Sequence, residues 1–329
     1  MSFEDLRGTL RGEPVAVVYG GHSNEREVSL QTGEAIASAL EGAGLGVRRV
    51  LLDGDAENQI RSLAGSICFI GMHGRFGEDG ELQGILDGMG VHYTGSGPEA
   101  SKNAMEKGIS KKIFQEAGVP TPNYIVVDRN ELSGAFGAES LRYPAVVKPA
   151  SCGSSIGVTV RVGPGELDVA LAAAFEHDDR VLVEEYIEGP ELTVGVLGRR
   201  PLPVIELRTP RGFYDYEAKY LDDGTEYICD PELGPGVTER VQKAAVAAYE
   251  ALGCRDFGRV DMMLAEGGKP QVLEVNTIPG FTSHSLLPMA ARAAGIEFGE
   301  LCERILAYAA ARSRGESVAD GAGAWRVAS

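Results

Sequence analysis

The stretch from Gly258 to Gly280 constrains the fold of this chain most strongly. Residues 258–264 (Gly-Arg-Val-Asp-Met-Met-Leu) and 271–276 (Gln-Val-Leu-Glu-Val-Asn) alternate polar and apolar side chains on either side of Gly267-Gly268. That is the pattern of a β-hairpin with one buried face. Side chains two apart on a strand share a face, so Arg259 and Asp261 point together, as do Glu274 and Asn276. Pairing Leu264 with Gln271 sets Asp261 opposite Glu274 and Arg259 opposite Asn276. Two carboxylates across a strand pair repel unless a cation lies between them. Two carboxylates and an amide oxygen, completed by phosphate, are a set suited to Mg²⁺. An amphipathic hairpin with a solvated charged face accounts for the same residues, and the hairpin alone does not choose.

The rest of the chain narrows the function class. With 329 residues it suits two or three packed domains. Its 43% hydrophobic and 24% charged residues are those of an ordinary globular protein. A formal net charge of -17 repels phosphate overall and argues against nucleic-acid or anionic-membrane partners. Any anionic ligand therefore needs locally placed lysines, arginines or metal. Five cysteines (Cys68, Cys152, Cys229, Cys254, Cys302) without a Cys-x-x-Cys spacing fit neither a zinc knuckle nor a disulfide framework. They fit a reducing cytoplasm, and the sequence shows neither a signal-peptide pattern at its start nor an apolar run long enough to span a bilayer.

From the start, Pro14–Tyr19 reads as a buried parallel strand ending at Gly20-Gly21, with Val47–Leu52 and Ser66–Ile70 as further strands. Strand-end loops are where α/β proteins place ligand-binding residues. One such loop carries Glu25 and the next carries His73, so both can face one crevice. Gly95-Ser96-Gly97-Pro98-Glu99-Ala100 formally matches a dinucleotide fingerprint, but no strand ending in an acidic residue follows at the required distance. A long helix is expected over Lys102–Ala117, with Lys111 and Lys112 on a solvated face. Strands at Tyr124–Val127, Ala145–Lys148, Val158–Val162 and Val181–Tyr186 with a helix at Glu166–Glu176 form a compact α+β unit. Within it, Lys148 precedes Gly153-Ser154-Ser155-Ile156-Gly157, small residues whose amides can wrap an anion. No Walker-type motif occurs. Strands at Glu191–Leu197 and Pro203–Leu207 follow. An aromatic, charged loop then begins at Arg211–Tyr220 and runs irregularly to Pro231, as a functional cover would. A helix at Val237–Leu252 leads into the hairpin. Thr282-Ser283-His284-Ser285 then reads as a helix N-terminus able to hold a carboxylate, and the residues from Gly315 on as a frayed tail.

Taken in order, these motifs carry a resemblance: Gly20-Gly21 with Glu25-Arg26-Glu27-Val28-Ser29, His73-Gly74 with Gly77-Glu78-Asp79-Gly80, Tyr93-Thr94-Gly95-Ser96-Gly97, and Gly153-Ser154-Ser155-Ile156-Gly157. They continue with Tyr214-Asp215-Tyr216-Glu217-Ala218-Lys219-Tyr220 and Glu274-Val275-Asn276-Thr277 with Pro279-Gly280. From about Pro14 to about Ala311 the chain resembles the D-alanine–D-alanine ligases of the ATP-grasp superfamily. The resemblance implies an α/β fold, α+β in the nucleotide-binding part, in three domains. A Rossmann-like parallel sheet at 1–94 would precede a central ATP-grasp part at 95–187, a C-terminal ATP-grasp part at 188–312 and a flexible tail at 313–329.

It also implies a chemistry in which ATP phosphorylates the carboxylate of one D-alanine and the amine of a second attacks the acyl phosphate. By this resemblance Asp261, Glu274 and Asn276 hold two Mg²⁺ ions, for which Mn²⁺ is a possible substitute. Lys107, Lys148 and Lys219 serve the ATP phosphates, with Ser155 in the phosphate loop, and Glu184 and Glu191 contact adenine and ribose. Glu25 anchors the first substrate's ammonium with His73 nearby. Arg259 and the Gly280 amide stabilise the oxyanion, while Ser285 and the Leu286 amide hold the second carboxylate. Glu25, Ser154 and Tyr220 form a trio that closes the cover loop. Glu185 and Tyr186 depart from the lysine and tryptophan of several relatives, and Ile278 from a small polar residue. A homodimer is implied, and ligases that take D-lactate or D-serine, or a nucleotide-binding regulator without ligation, are the alternatives.

Overall fold

The computed structural model describes residues 3–53, 56–131, 141–209, 224–282 and 285–316, together with Val318, Trp325 and Val327. Its first part alternates helix and strand: α1 (Phe3–Leu10), β1 (Val15–Gly20), α2 (Arg26–Gly42), β2 (Val47–Leu52), α3 (Ala56–Arg61), β3 (Ile67–Ile70), α4 (Glu81–Gly88) and β4 (His92–Tyr93). The strands form a parallel sheet in the order β2-β1-β3-β4. Successive residues of β1 enter different cores. Val15 and Val17 pack with Ile36 and Leu40 of α2, whereas Ala16 and Val18 pack with Leu82 and Leu86 of α4. A strand covered on both faces must be apolar throughout, which is why its sequence does not alternate.

The second part comprises α5 (Pro98–Met105), α6 (Lys107–Glu116), β5 (Tyr124–Asp128), β6 (Ala145–Pro149), β7 (Thr159–Val162), α7 (Leu167–Phe175) and β8 (Arg180–Glu185). Its antiparallel sheet runs β5-β8-β6-β7, with Leu171, Ala174 and Phe175 of α7 buried against Val147, Val181 and Val183. The helix expected over Lys102–Ala117 is instead two. Glu106 leaves the helical region at φ -88 and ψ 98. The Lys107 amide, lacking a helical acceptor, donates to Ala150 O at 2.9 Å. The break re-aims α6 so that Lys107, Ser110, Lys111 and Phe114 form its buried face. Lys111, expected on a solvated face, is fully buried, while Lys112 is exposed.

The third part comprises β9 (Glu191–Leu197), β10 (Arg200–Arg208), β11 (Glu226–Cys229), α8 (Val237–Ala251), β12 (Phe257–Ala265), β13 (Lys269–Asn276), α9 (Leu286–Ala293) and α10 (Phe298–Ser313). Its antiparallel sheet runs β11-β10-β9-β12-β13. β11 is a strand inside the stretch expected to be irregular up to Pro231; it gains its order by pairing with β10 from Ile205 to Arg208. The hairpin register has one correction. Asp261 does face Glu274 and Arg259 does face Asn276, but Leu264 pairs with Pro270 and not with Gln271. The register shifts between Asp261 and Met262, so Leu273 is the extra residue of a β-bulge. Leu273 and Glu274 therefore both line the same cavity despite being consecutive.

The hairpin is fixed to the first sheet. Phe69 of β3, Phe257 at the start of β12 and Phe281 beyond its end form an aromatic cluster with centroids 5.8–6.4 Å apart. α10 packs on α1 and α2 in the same core. Arg312 donates to Tyr93 O at 2.6 Å, Arg255 to Gly95 O at 2.9 Å, and the Gly95 amide to Asp256 at 2.8 Å. The residues that formally match a dinucleotide fingerprint thus serve this junction. Within the tail beyond residue 312, the Trp325 amide donates to Pro201 O at 3.0 Å and the Arg200 guanidinium lies 3.8 Å over its ring. Among the described residues no helix is long and apolar enough to cross a membrane.

Candidate active site

Two cavities share Glu274 as a common wall. The first, about 300 Å³, lies between the two antiparallel sheets. Val146, Val158 and Val160 face it from one side and Leu207, Met263 and Leu273 from the other, and Lys107, Lys148, Ser155, Glu184, Glu191, Asp261 and Glu274 supply its charge and polarity. Apolar side chains with a few polar groups suit a flat heteroaromatic base and a charged tail. The second cavity, about 230 Å³, gathers Glu25, His73, Ser154, Arg259, Asn276, Gly280, Ser285 and Leu286. It also takes Glu78, quoted above only as part of a motif, and Tyr227, neither of which was assigned a role from the sequence. Lys219 and Tyr220, with the whole aromatic loop Arg211–Tyr220, lie outside the described residues, as do Ser283 and His284.

Glu25 stands at the N-cap of α2, after the Gly20-Gly21 turn. Ser23 binds this loop to the next by donating to His73 O at 2.7 Å. Gly74, at φ +73, admits the carboxylate, because a Cβ there would sit 2.6 Å from Glu25 Oε2. From the opposite side Ser154 donates to Glu25 Oε1 at 2.5 Å. Ser154 and Ser155 both hold left-handed backbone, φ 52 and 57, a strained pair for residues other than glycine. Strain of this kind turns successive amides toward one point, as an anion nest requires.

His73 is buried, with Nε2 2.8 Å from Thr32 Oγ1 and Nδ1 within 3.1 Å of Glu78 Oε1 and Ile278 O. Burial pushes the Glu78 carboxyl up to about 7, against the hydrogen bond from His73 that lowers it. At the far end Ser285 is the N-cap of α9, but its hydroxyl accepts from the Thr282 amide at 3.1 Å and makes no cap bond to the helix amides. The Leu286 end of this helix therefore presents amides without a side-chain cap, a place for a carboxylate.

The hairpin's charges are paired. Arg259 grips Asp261 in a bidentate contact at 2.8 and 2.7 Å, and Thr193 donates to Asp261 Oδ1 at 2.6 Å. Lys107 lies 3.3 Å from Glu274 and donates to Cys152 O at 2.8 Å. Asn276 Oδ1 is buried with no hydrogen-bond partner, a costly arrangement unless a cation or donor completes it. Among the described residues no three His, Cys, Asp or Glu side chains converge on one point. A cation here would rest on Asp261, Glu274 and the Asn276 amide, with phosphate oxygens completing the shell, which suits Mg²⁺.

Glu184 lies deep in the first cavity between two lysines, Lys148 at 2.5 Å and Lys111 at 2.7 Å. Burial pushes its carboxyl up, but the two ammonium groups outweigh burial and hold it below the ordinary value. Burial pulls Lys111 down to about 8, with Glu184 opposing.

Residues 113–307 match the family model described as D-ala D-ala ligase C-terminus. A D-alanine–D-alanine ligase of Bordetella avium (strain 197N) is 43% identical over 320 residues, 95% of this chain and 100% of that protein. The chain belongs to the D-alanine–D-alanine ligase family. A ligase of the same description from Alcanivorax borkumensis is 46% identical over 92% of this chain and 95% of its own length. The crystal structure of the Bacillus anthracis D-alanine–D-alanine ligase complexed with ATP superposes with a TM-score of 0.82 at 34% identity, covering 92% of this chain and 99% of that one. The VanG D-Ala:D-Ser ligase of Enterococcus faecalis gives 0.78 at 32% identity, covering 89% and 98%.

Proposed function

We propose that the protein joins two D-alanine molecules at the expense of ATP. The observation that supports this most strongly is the wall shared by the two cavities. A nucleotide in the first would present its terminal phosphate at Glu274, next to the cavity where Glu25, Arg259 and Ser285 face an amino acid.

In this reading ATP lies with its base between the apolar walls and its phosphates on Lys107, Lys148 and the Ser154-Ser155 amides. Lysines position and neutralise, which is most of what phosphoryl transfer asks of a protein. Mg²⁺ on Asp261, Glu274 and Asn276, when bound, neutralises phosphate charge. Glu25 pairs with the ammonium of the first D-alanine and so aims its carboxylate at the γ-phosphorus. An oxygen of that carboxylate forms the new P–O bond and ADP leaves. The amine of the second D-alanine, its carboxylate held at the Ser285 end of α9, then attacks the acyl carbon. Arg259 and the Gly280 amide stabilise the tetrahedral oxyanion, and its collapse expels phosphate and leaves the peptide bond. In this reading the enzyme works in the cytoplasm, where ATP is available, and the family resemblance supports a homodimer, which light scattering checks as a mass of twice 34.8 kDa.

The test is ADP release with D-alanine and Mg²⁺, with the product mass read from mixtures of D-alanine with D-serine and D-lactate. Release that needs D-alanine, with a D-alanyl-D-alanine product, supports the reading. ATP binding without turnover supports a regulator instead, and a mixed product supports a ligase of the D-serine or D-lactate kind.

A further inference from the structure

Lys111 is not used by the mechanism above, yet it is among the largest side chains that are wholly buried. Its ammonium is committed on every side. It lies 2.7 Å from Glu184 Oε2, donates to Thr121 Oγ1 at 2.7 Å, and sits 5.6 Å from the centre of the Tyr124 ring. Thr121 passes its own proton to Val272 O at 2.8 Å, beside the bulge that turns Leu273 and Glu274 into the nucleotide cleft. The ammonium is therefore locked among β5, β8 and β13. It does not line the cleft, whereas Glu184 does.

Burying a lysine is expensive, and a buried ion pair is weak evidence for stability alone. The pairing has a further use. Lys148, the other partner of Glu184, also lines the cleft, where in the proposed reading it serves a phosphate. Once Lys148 turns to a phosphate, Lys111 is the only ammonium that the described structure leaves against Glu184. An ionised carboxylate accepts hydrogen bonds and cannot donate one. At the edge of a base it favours an exocyclic amino group and opposes a carbonyl oxygen.

We propose that Lys111 is a positioning residue for nucleotide choice: it fixes Glu184 as a permanent acceptor, so that the cleft takes a 6-aminopurine and rejects a 6-oxopurine. The inference rests on the reading of the first cavity as the nucleotide site and not on the identity of the amino acids joined. Lys111 acts through Glu184 and has no contact of its own with the ligand.

Binding of ATP and GTP, measured by titration calorimetry on the whole chain, tests it without requiring turnover. Lys111→Met is expected to weaken ATP about tenfold or more while GTP changes little, because a lost charged hydrogen bond in a buried site carries roughly that factor. Lys111→Arg is expected to restore part of the ATP preference. If Lys111 works through Glu184, Lys111→Met in a Glu184→Gln background adds no further loss of preference. That double variant removes one charge of each sign and keeps the test open if Lys111→Met alone fails to fold. An ATP-to-GTP ratio unchanged in Lys111→Met, or separate additive losses in the double variant, would overturn the proposal and leave Lys111 a purely structural residue. If the wild-type protein binds ATP selectively but never turns over D-alanine, the ligase reading fails while this inference stands.

Discussion

The nucleotide cleft draws its charged residues largely from strands of the two antiparallel sheets, whereas the second cavity adds to strand residues of the third part, such as Arg259 and Asn276, loop residues of the other two, such as His73 and Ser154. Lys148 on β6 and Glu184 on β8 come from paired strands, as do Asp261 on β12 and Glu274 on β13. Their spacing is set by sheet geometry; Lys148 and Glu184 neutralise each other, and the like-charged Asp261 and Glu274 are met by Arg259 and Lys107. Glu25, Ser154 and Ser285 instead meet only because the three parts pack together. The cleft's polar groups are therefore held largely within sheets, while the second cavity depends on contacts between parts. Glu274 belongs to both and is the residue whose loss should be felt most.

Glu274→Gln keeps the shape but removes the charge facing Lys107 and Asp261. Turnover is expected to fall by roughly 10³-fold, at the upper end of what one electrostatic stabiliser contributes, with both ATP and D-alanine dependence affected in steady-state assays. An effect on only one substrate would break the idea of a shared wall. Arg259→Met strips Asp261 of its bidentate partner and the second cavity of its cation. A loss of about 10²-fold in kcat with ATP affinity nearly unchanged would confirm that Arg259 belongs to the acyl step. Ser154→Ala removes the contact to Glu25, and the expected change is smaller, about tenfold in KM for the first amino acid, from one charged hydrogen bond.

The smallest effect is on stability. The Glu78 carboxyl is raised above its unfolded value, so between about 4.5 and about 7 the folded state binds more protons than the unfolded one. Stability from this group is then fully present at low pH and is lost as pH rises toward about 7. Glu78→Gln should flatten that part of the pH profile in denaturant titrations. An unchanged slope would show that Glu78 is not desolvated beside His73.

Much of this was legible in the sequence, for particular reasons. The apolar run of β1 and the alternation of the hairpin report burial directly, and the facing pairs Asp261–Glu274 and Arg259–Asn276 follow from counting across a turn. The bulge at Leu273 was not legible, because alternation cannot show where an extra residue is absorbed. The neighbouring pair Lys111-Lys112 misled, since two adjacent lysines look like a solvated face. The spacing of Lys107, Ser110, Lys111 and Phe114 at i, i+3, i+4 and i+7 was the available signal, placing Lys111 on the side of an aromatic core residue. Glu78 was given no role because its burial comes from packing that no local pattern encodes, and Tyr227 because it reaches the cavity from β11, a strand the irregular pattern hid.

In the proposed mechanism the shared wall couples ATP cleavage to activation of a carboxylate. D-Alanine labelled with ¹⁸O in both carboxylate oxygens tests it directly. If the carboxylate attacks ATP and the acyl phosphate is then opened by an amine, one ¹⁸O per turnover passes to the released phosphate, as mass spectrometry of the phosphate will show. Phosphate that carries no label, with its new oxygen drawn from water, would mean that no acyl phosphate forms.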